Sequence, residues 1–178
     1  MNFTYPLSEF YNHAKLPLPT IEQISGDAVP EPFKSLLVHN NDMTPTLESF
    51  HKSDIHLEIV SSERRGEFYF REVVLRLNGD DRAVEFGANK VYIGRFPEEA
   101  RDLILQEQLP LGRILKVCGI RHHTEAKAFL RVTSDELIGG KFDLKQPVTL
   151  YGRKAVICDP QNRPISEIVE ILPPAAAA

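Results

Sequence analysis

The sequence predicts an α+β domain, and three observations predict it. Apolar and polar residues alternate with period two through residues 55–93, a helix-like stretch follows, and a second hairpin signal lies near the C-terminus. Strands grouped into hairpins, with helical segments before and between the groups, belong to an antiparallel sheet rather than to repeated βαβ units.

Taken in order, residues 1–32 contain Pro17, Pro19, Pro30 and Pro32 and read as an irregular lead-in that wraps the domain. Residues 33–38 form a short helix entered after Pro32. A second helix is expected to start at Pro45 behind a Thr44 cap. From Ile55 the pattern is that of a half-buried strand, with Ile55, Leu57 and Ile59 on one face; Arg64, Arg65 and Gly66 interrupt it. Residues 67–77 make the next strand. Asn78-Gly79 signals a tight hairpin, because both central turn positions need positive φ, and a third strand runs through residues 83–93 with a bulge at Gly87. Residues 97–105 place Pro97, Glu98 and Glu99 before an apolar end, the charge order a helix dipole favours. The stretch after Gly119 fits helix or strand. Residues 154–158 and 165–172 flank a turn-forming DPQNRP, and residues 175–178 are a featureless tail.

Composition narrows the function. A chain of 178 residues with 42% hydrophobic content is long enough to bury one core and a small-molecule pocket, so residues 1–178 read as a single domain. A net charge of −4 provides no broad basic field for nucleic acid. No apolar run reaches the ~20 residues of a membrane span, and the N-terminus has no leader pattern, so the cytoplasm is the expected location. Cys118 and Cys158 read as reduced core thiols. The adjacent His122 and His123 make a poor chelate, and no glycine-rich phosphate loop or nucleophile elbow is present.

The candidate site rests on charge placed among apolar residues. In residues 67–77 one strand face carries Tyr69, Arg71, Val73, Leu75 and Leu77, so Arg71 is its only charged member. A guanidinium cannot shed its proton to escape burial and needs an anion, supplied by the protein or by a ligand. In the last strand Glu167 shares a face with Ile165, Val169 and Ile171, while Glu170 shares the other with Ile168 and Leu172. Arg71 and Glu167 either pair with each other or both serve a pocket.

The segments LLVHNNDMTPTLE, FREVVLRLNGD, LPLGRIL, YGRKAVI and RPISEIVEILPP, in that order, resemble those of the chorismate pyruvate-lyase family. That resemblance covers most of the chain after about Phe33. It implies a twisted antiparallel sheet of about six strands, helices on one face and a sealed pocket. The implied enzyme converts chorismate to 4-hydroxybenzoate and pyruvate without metal or organic cofactor, supplying ubiquinone precursors. Position by position, Met43 and Leu111 match pocket-lining residues and Arg71 matches the carboxylate-holding arginine. Glu167 matches the essential glutamate, with Glu170 as the alternative register. The same fold also occurs in effector-sensing domains of transcription regulators, which hold small ligands without chemistry. A third reading is a pairing domain whose edge strands meet a partner.

Overall fold

A computed structural model describes residues 2–175; most of the alanine tail falls outside them. Seven antiparallel strands form one sheet. They are β1 (Ile21–Ile24), β2 (Ile55–Arg65), β3 (Phe68–Leu77), β4 (Ala83–Tyr92), β5 (His123–Thr133), β6 (Thr149–Cys158) and β7 (Pro164–Leu172). Their order is β1-β5-β6-β7-β4-β3-β2. The expected six strands are therefore corrected to seven. The extra edge strand β1 has only four residues and lies in the proline-bearing lead-in, too short to show a period.

Six helices accompany the sheet: α1 (Leu7–Ala14), α2 (Phe33–Leu37), α3 (Met43–His51), α4 (Glu98–Leu105), α5 (Leu111–Val117) and α6 (Glu136–Lys141). The lead-in thus also holds α1, whose buried Leu7 and Tyr11 lie one helical turn apart. α3 begins two residues before Pro45, behind Asp42 rather than Thr44. The ambiguous stretch after Gly119 enters β5, where Thr124, Ala128, Leu130 and Val132 turn inward.

Two turn readings change. The β3–β4 connection is longer than a two-residue hairpin, and its positive φ of 59° falls on Asp81. Asn78 is engaged elsewhere, donating its backbone N–H to the Asp54 carbonyl at 2.9 Å and facing the His56 ring. The register shift between β3 and β4 lies at Arg76, opposite Ala83, while Gly87 pairs in register with Val73 and Glu170.

The strands bury both faces, and helices cover both, where the resemblance implied one. Val74, Phe86, Ala88, Val169 and Ile171 pack with Leu7 and Tyr11 of α1 and Ile138 of α6. Behind them, Tyr69, Val91 and Ile168 pack against α4 and α5, and Leu75, Leu77 and Leu172 against α2 and α3. The parity of each strand decides which set a residue joins. Residues 71, 73 and 75 of β3, 85 and 89 of β4, 153, 155 and 157 of β6, and 168 and 170 of β7 line one cavity beneath α3 and α5.

Glycine sets one close approach in this frame. A Cβ on Gly152 would lie 2.3 Å from the backbone carbonyl oxygen of Glu170, closer than any real contact. Gly152→Ala should therefore cost about 2 kcal/mol or more in urea unfolding. An unchanged midpoint would show that β6 and β7 separate at no cost.

Candidate functional site

Two arginines reach the cavity face, and their surroundings differ. Arg153 is 0% exposed and fully engaged: its Nε donates to Glu170 Oε2 at 2.6 Å, Nη1 to the His39 carbonyl at 3.0 Å and Nη2 to the Asn41 carbonyl at 3.0 Å. Here a charge-assisted pair is completed by backbone acceptors, the arrangement that makes a buried arginine tolerable. Arg71 is 1% exposed, yet its Nε and Nη1 have no hydrogen-bond partner among the described residues. Burial pulls its pKa down, while Tyr69 and Glu107 favour the charged form. Those two groups bond to each other, the Tyr69 hydroxyl donating to Glu107.

The cavity is lined by Met43, Arg71, Glu85, Asn89, Leu111 and Glu170, with Leu57, Val73, Leu75, Ala155, Ile157 and Ile168 as its apolar wall. Unpartnered Glu85 Oε2 and Asn89 Oδ1 join the two Arg71 nitrogens there. Its free volume is about 40 Å³, room for about three waters at ~10–15 Å³ each. Over it, α3 and α5 are held together by the Arg113–Glu48 ion pair and by Gly112, where a Cβ would meet Thr44 Oγ1 at 3.0 Å.

Four of the residues singled out in the sequence therefore share the cavity: Met43, Arg71, Leu111 and Glu170. Glu167 does not. It accepts from Tyr92 at 2.8 Å and from the buried Lys154 at 3.3 Å on the opposite side of the sheet, so it cannot pair with Arg71 either. Of the apolar company that favoured Glu167 in the sequence, Val169 and Ile171 belong to the core under α1 and α6, and Lys154 supplies the counter-charge of Glu167. Two cavity residues escaped the sequence reading. Arg153 alternates with Tyr151 and Ala155, so strand parity could have found it; Glu85, the one charged residue on the face of Ala83, Gly87, Asn89 and Val91, carried the same signal as Arg71.

A second polar group ties the roof to the sheet. Asp42, at the start of α3, accepts from His122 Nε2 at 2.7 Å and Thr124 Oγ1 at 2.5 Å, while His122 Nδ1 faces the Ile120 carbonyl at 2.8 Å. With acceptors at both ring nitrogens, His122 is held as imidazolium. The Asp42 bond, against partial burial, raises its pKa. For Asp42, burial alone would raise the pKa, but hydrogen bonds from His122 and Thr124 outweigh it and lower it. The two adjacent histidines thus differ: His123 is exposed, while His122 is a tether. No group of three His, Cys, Asp or Glu that could hold a metal occurs among the described residues. No described helix is long and apolar enough to cross a membrane.

No family model matches the chain. No curated protein matches it in sequence. Solved structures do match in fold. PhnF from Mycobacterium smegmatis aligns with TM-score 0.56 and 12% identity over 77% of this chain and 65% of that one. The effector domain of PhnF aligns with TM-score 0.55 and 13% identity over 75% and 88%. YydK from Bacillus subtilis, described as a possible transcriptional regulator, gives TM-score 0.54 and 8% identity over 71% and 64%. The chain therefore spans just under two thirds of the whole PhnF and YydK chains. At these identities the likeness establishes the fold, one shared with ligand-binding domains of transcriptional regulators. The lyase activity and the place in ubiquinone synthesis implied by the motif resemblance are overturned: the matching structures are described as an effector domain or as transcriptional regulators, and none of those named here as a lyase.

The tether has a pH dependence with a definite sign. A raised His122 pKa contributes stability that is complete below the unfolded value and is lost as pH rises through the folded one. The lowered Asp42 pKa contributes stability lost as pH falls through its folded value. The advantage of wild type over His122→Gln in urea unfolding should be about 1 kcal/mol near pH ~5.5 and shrink toward pH ~9. An advantage that grows with pH would contradict the tether.

Proposed function

We propose that residues 1–178 form a single effector-sensing module that holds a small aromatic carboxylic acid and performs no chemistry on it. One observation carries this reading: Arg71 is enclosed at a cavity with two guanidinium nitrogens, Nε and Nη1, unmet, while its neighbour Arg153 is fully met. A carboxylate oxygen can accept from either of these nitrogens, and a water-shielded site makes such charge-assisted bonds strong. Met43 and Leu111 would pack on the ring, Met43 by virtue of its adaptable thioether. The likeness to the effector domain of PhnF supports a sensing role. A cytoplasmic site of action suits the two free cysteines.

Among ligands named by the motif resemblance, 4-hydroxybenzoate fits this proposal, as a flat acid with one carboxylate. The cavity's ~40 Å³ is too small for it at rest. Entry therefore requires α3 and α5 to lift together, and that displacement is what a sensor can report. Two features work against turnover. Glu170 is locked to Arg153 at 2.6 Å, and Glu167 lies across the sheet.

Calorimetric titration with 4-hydroxybenzoate should show saturable binding by wild type, weakened about 100-fold or more in Arg71→Ala. Chorismate incubated with the protein should remain unchanged. Binding that survives Arg71→Ala would remove the assignment, and equimolar release of 4-hydroxybenzoate and pyruvate would refute a purely sensing role.

A further inference from the structure

A second pocket lies toward the other end of α3 from the cavity. Met43 and Thr44, in the first turn of α3, line the cavity; Leu47, Phe50 and His51, farther along, line the pocket, and the two sites share no residue. α2, α3, the β3–β4 connection, the chain just after α6 and the end of β7 border a volume of about 800 Å³, against about 40 Å³ for the cavity. Pockets that take drug-sized molecules run from ~300 to ~1,000 Å³. This one therefore has room for a ligand of several rings with no helix displaced. Its walls are largely hydrocarbon. Leu36, Leu47, Val84 and Leu172 belong to the core under α2 and α3, and Phe33, Phe50 and Phe142 add three rings. Phe50 is 49% exposed, its ring edge-on to that of His51 at 4.9 Å, so a bound apolar body would take it out of water.

The charged lining leaves one carboxylate over. Both of its guanidiniums are engaged: Arg76 Nε donates to Glu58 Oε2 at 2.5 Å and Nη1 to the Asp81 carbonyl at 3.0 Å, and Arg82 faces Asp80 at 3.7 Å. The Asp81 carboxylate faces His56 at 2.9 Å. Asp143, the remaining carboxylate of the lining, has no ion pair among the described residues. Burial, and next the charge of Arg82, lower the pKa of His51, so its neutral ring brings no positive charge to the pocket. Aromatic faces and a free carboxylate both attract a cation, while the aliphatic walls take up its apolar body. An organic anion would meet guanidiniums already occupied and a carboxylate that repels it.

We propose that this pocket is a second ligand site, separate from the Arg71 cavity, that takes a lipophilic organic cation bearing aromatic rings. Phe33, Phe50 and Phe142 pack against those rings, and Asp143 attracts the charge. The site does not depend on the sensing assignment, since it draws on neither Arg71 nor the space beneath α5.

Tetraphenylphosphonium and tetraphenylborate, of one shape and opposite charge, test this by calorimetry on the intact chain. Wild type should bind the phosphonium saturably and about tenfold or more tighter than the borate. Phe50→Ala, a good helix former at an exposed position, should weaken the phosphonium about fivefold or more. Leu105→Ala, at the 40% exposed apolar residue that ends α4, should leave its affinity unchanged. Asp143→Asn, which tolerates the left-handed backbone there (φ 57°), should narrow the preference for phosphonium over borate about threefold or more. Arg71→Ala should bind the phosphonium as wild type does. No saturable phosphonium binding by wild type, equal binding of the two ions, or equal losses in Phe50→Ala and Leu105→Ala would overturn the site. Loss of phosphonium binding in Arg71→Ala would place the cation in the cavity and overturn its separateness. An unaltered preference in Asp143→Asn would overturn the role of that carboxylate. None of these outcomes decides the sensing assignment, which the carboxylic acid titration tests by itself.

Discussion

An enclosed cation must find an anion, and this sheet contains the problem twice on one face. Arg153 solves it within the chain, through Glu170 and two backbone carbonyls of residues 39–42. Arg71, three strands away with β7 and β4 between, does not. The cost of burying a guanidinium is several kcal/mol unless its donors are met, so the two residues place opposite demands on the fold. One closes the structure, and the other keeps a place in it open.

Arg153 links the floor of the cavity to its roof. Its guanidinium holds the His39 and Asn41 carbonyls, and the next residue, Asp42, is held by His122 and Thr124. Residues 39–42 are thus fixed from the sheet, while α3 beyond them is fixed to α5 by Glu48 and Arg113. The roof is two short helices joined to each other and held to the sheet at several points, by Asp42 at the start of α3, by the Ile55 N–H on Glu48 and by the buried Leu47 and Ile114.

How much of this the sequence carried follows from strand parity. Period two located β2, β3 and β4, and isolated Arg71 as the one charge on an apolar strand face; the turn-forming DPQNRP segment located β6 and β7, and the structure puts the Arg71 side chain at the cavity. Parity failed at β7 for a physical reason. Both faces of the sheet are covered, so the more apolar face of a strand need not be the cavity face, and Glu167 rests on Lys154 in the other core. α1 and β1 were hidden by prolines that border them without entering them. The longer β3–β4 connection depends on a bond from Asn78 to Asp54, a tertiary contact no local pattern reports. The motif resemblance reached the right fold and the wrong activity, since a fold is shared more widely than a reaction.

The most direct test concerns the resting protein. If Arg71 is held at a cost to await an anion, ligand-free Arg71→Met, which fills similar volume without charge, should be more stable than wild type by about 1–4 kcal/mol in equilibrium urea unfolding. A variant destabilised by several kcal/mol, as expected on breaking a satisfied buried ion pair, would show that the polypeptide already neutralises Arg71, and the account would fail.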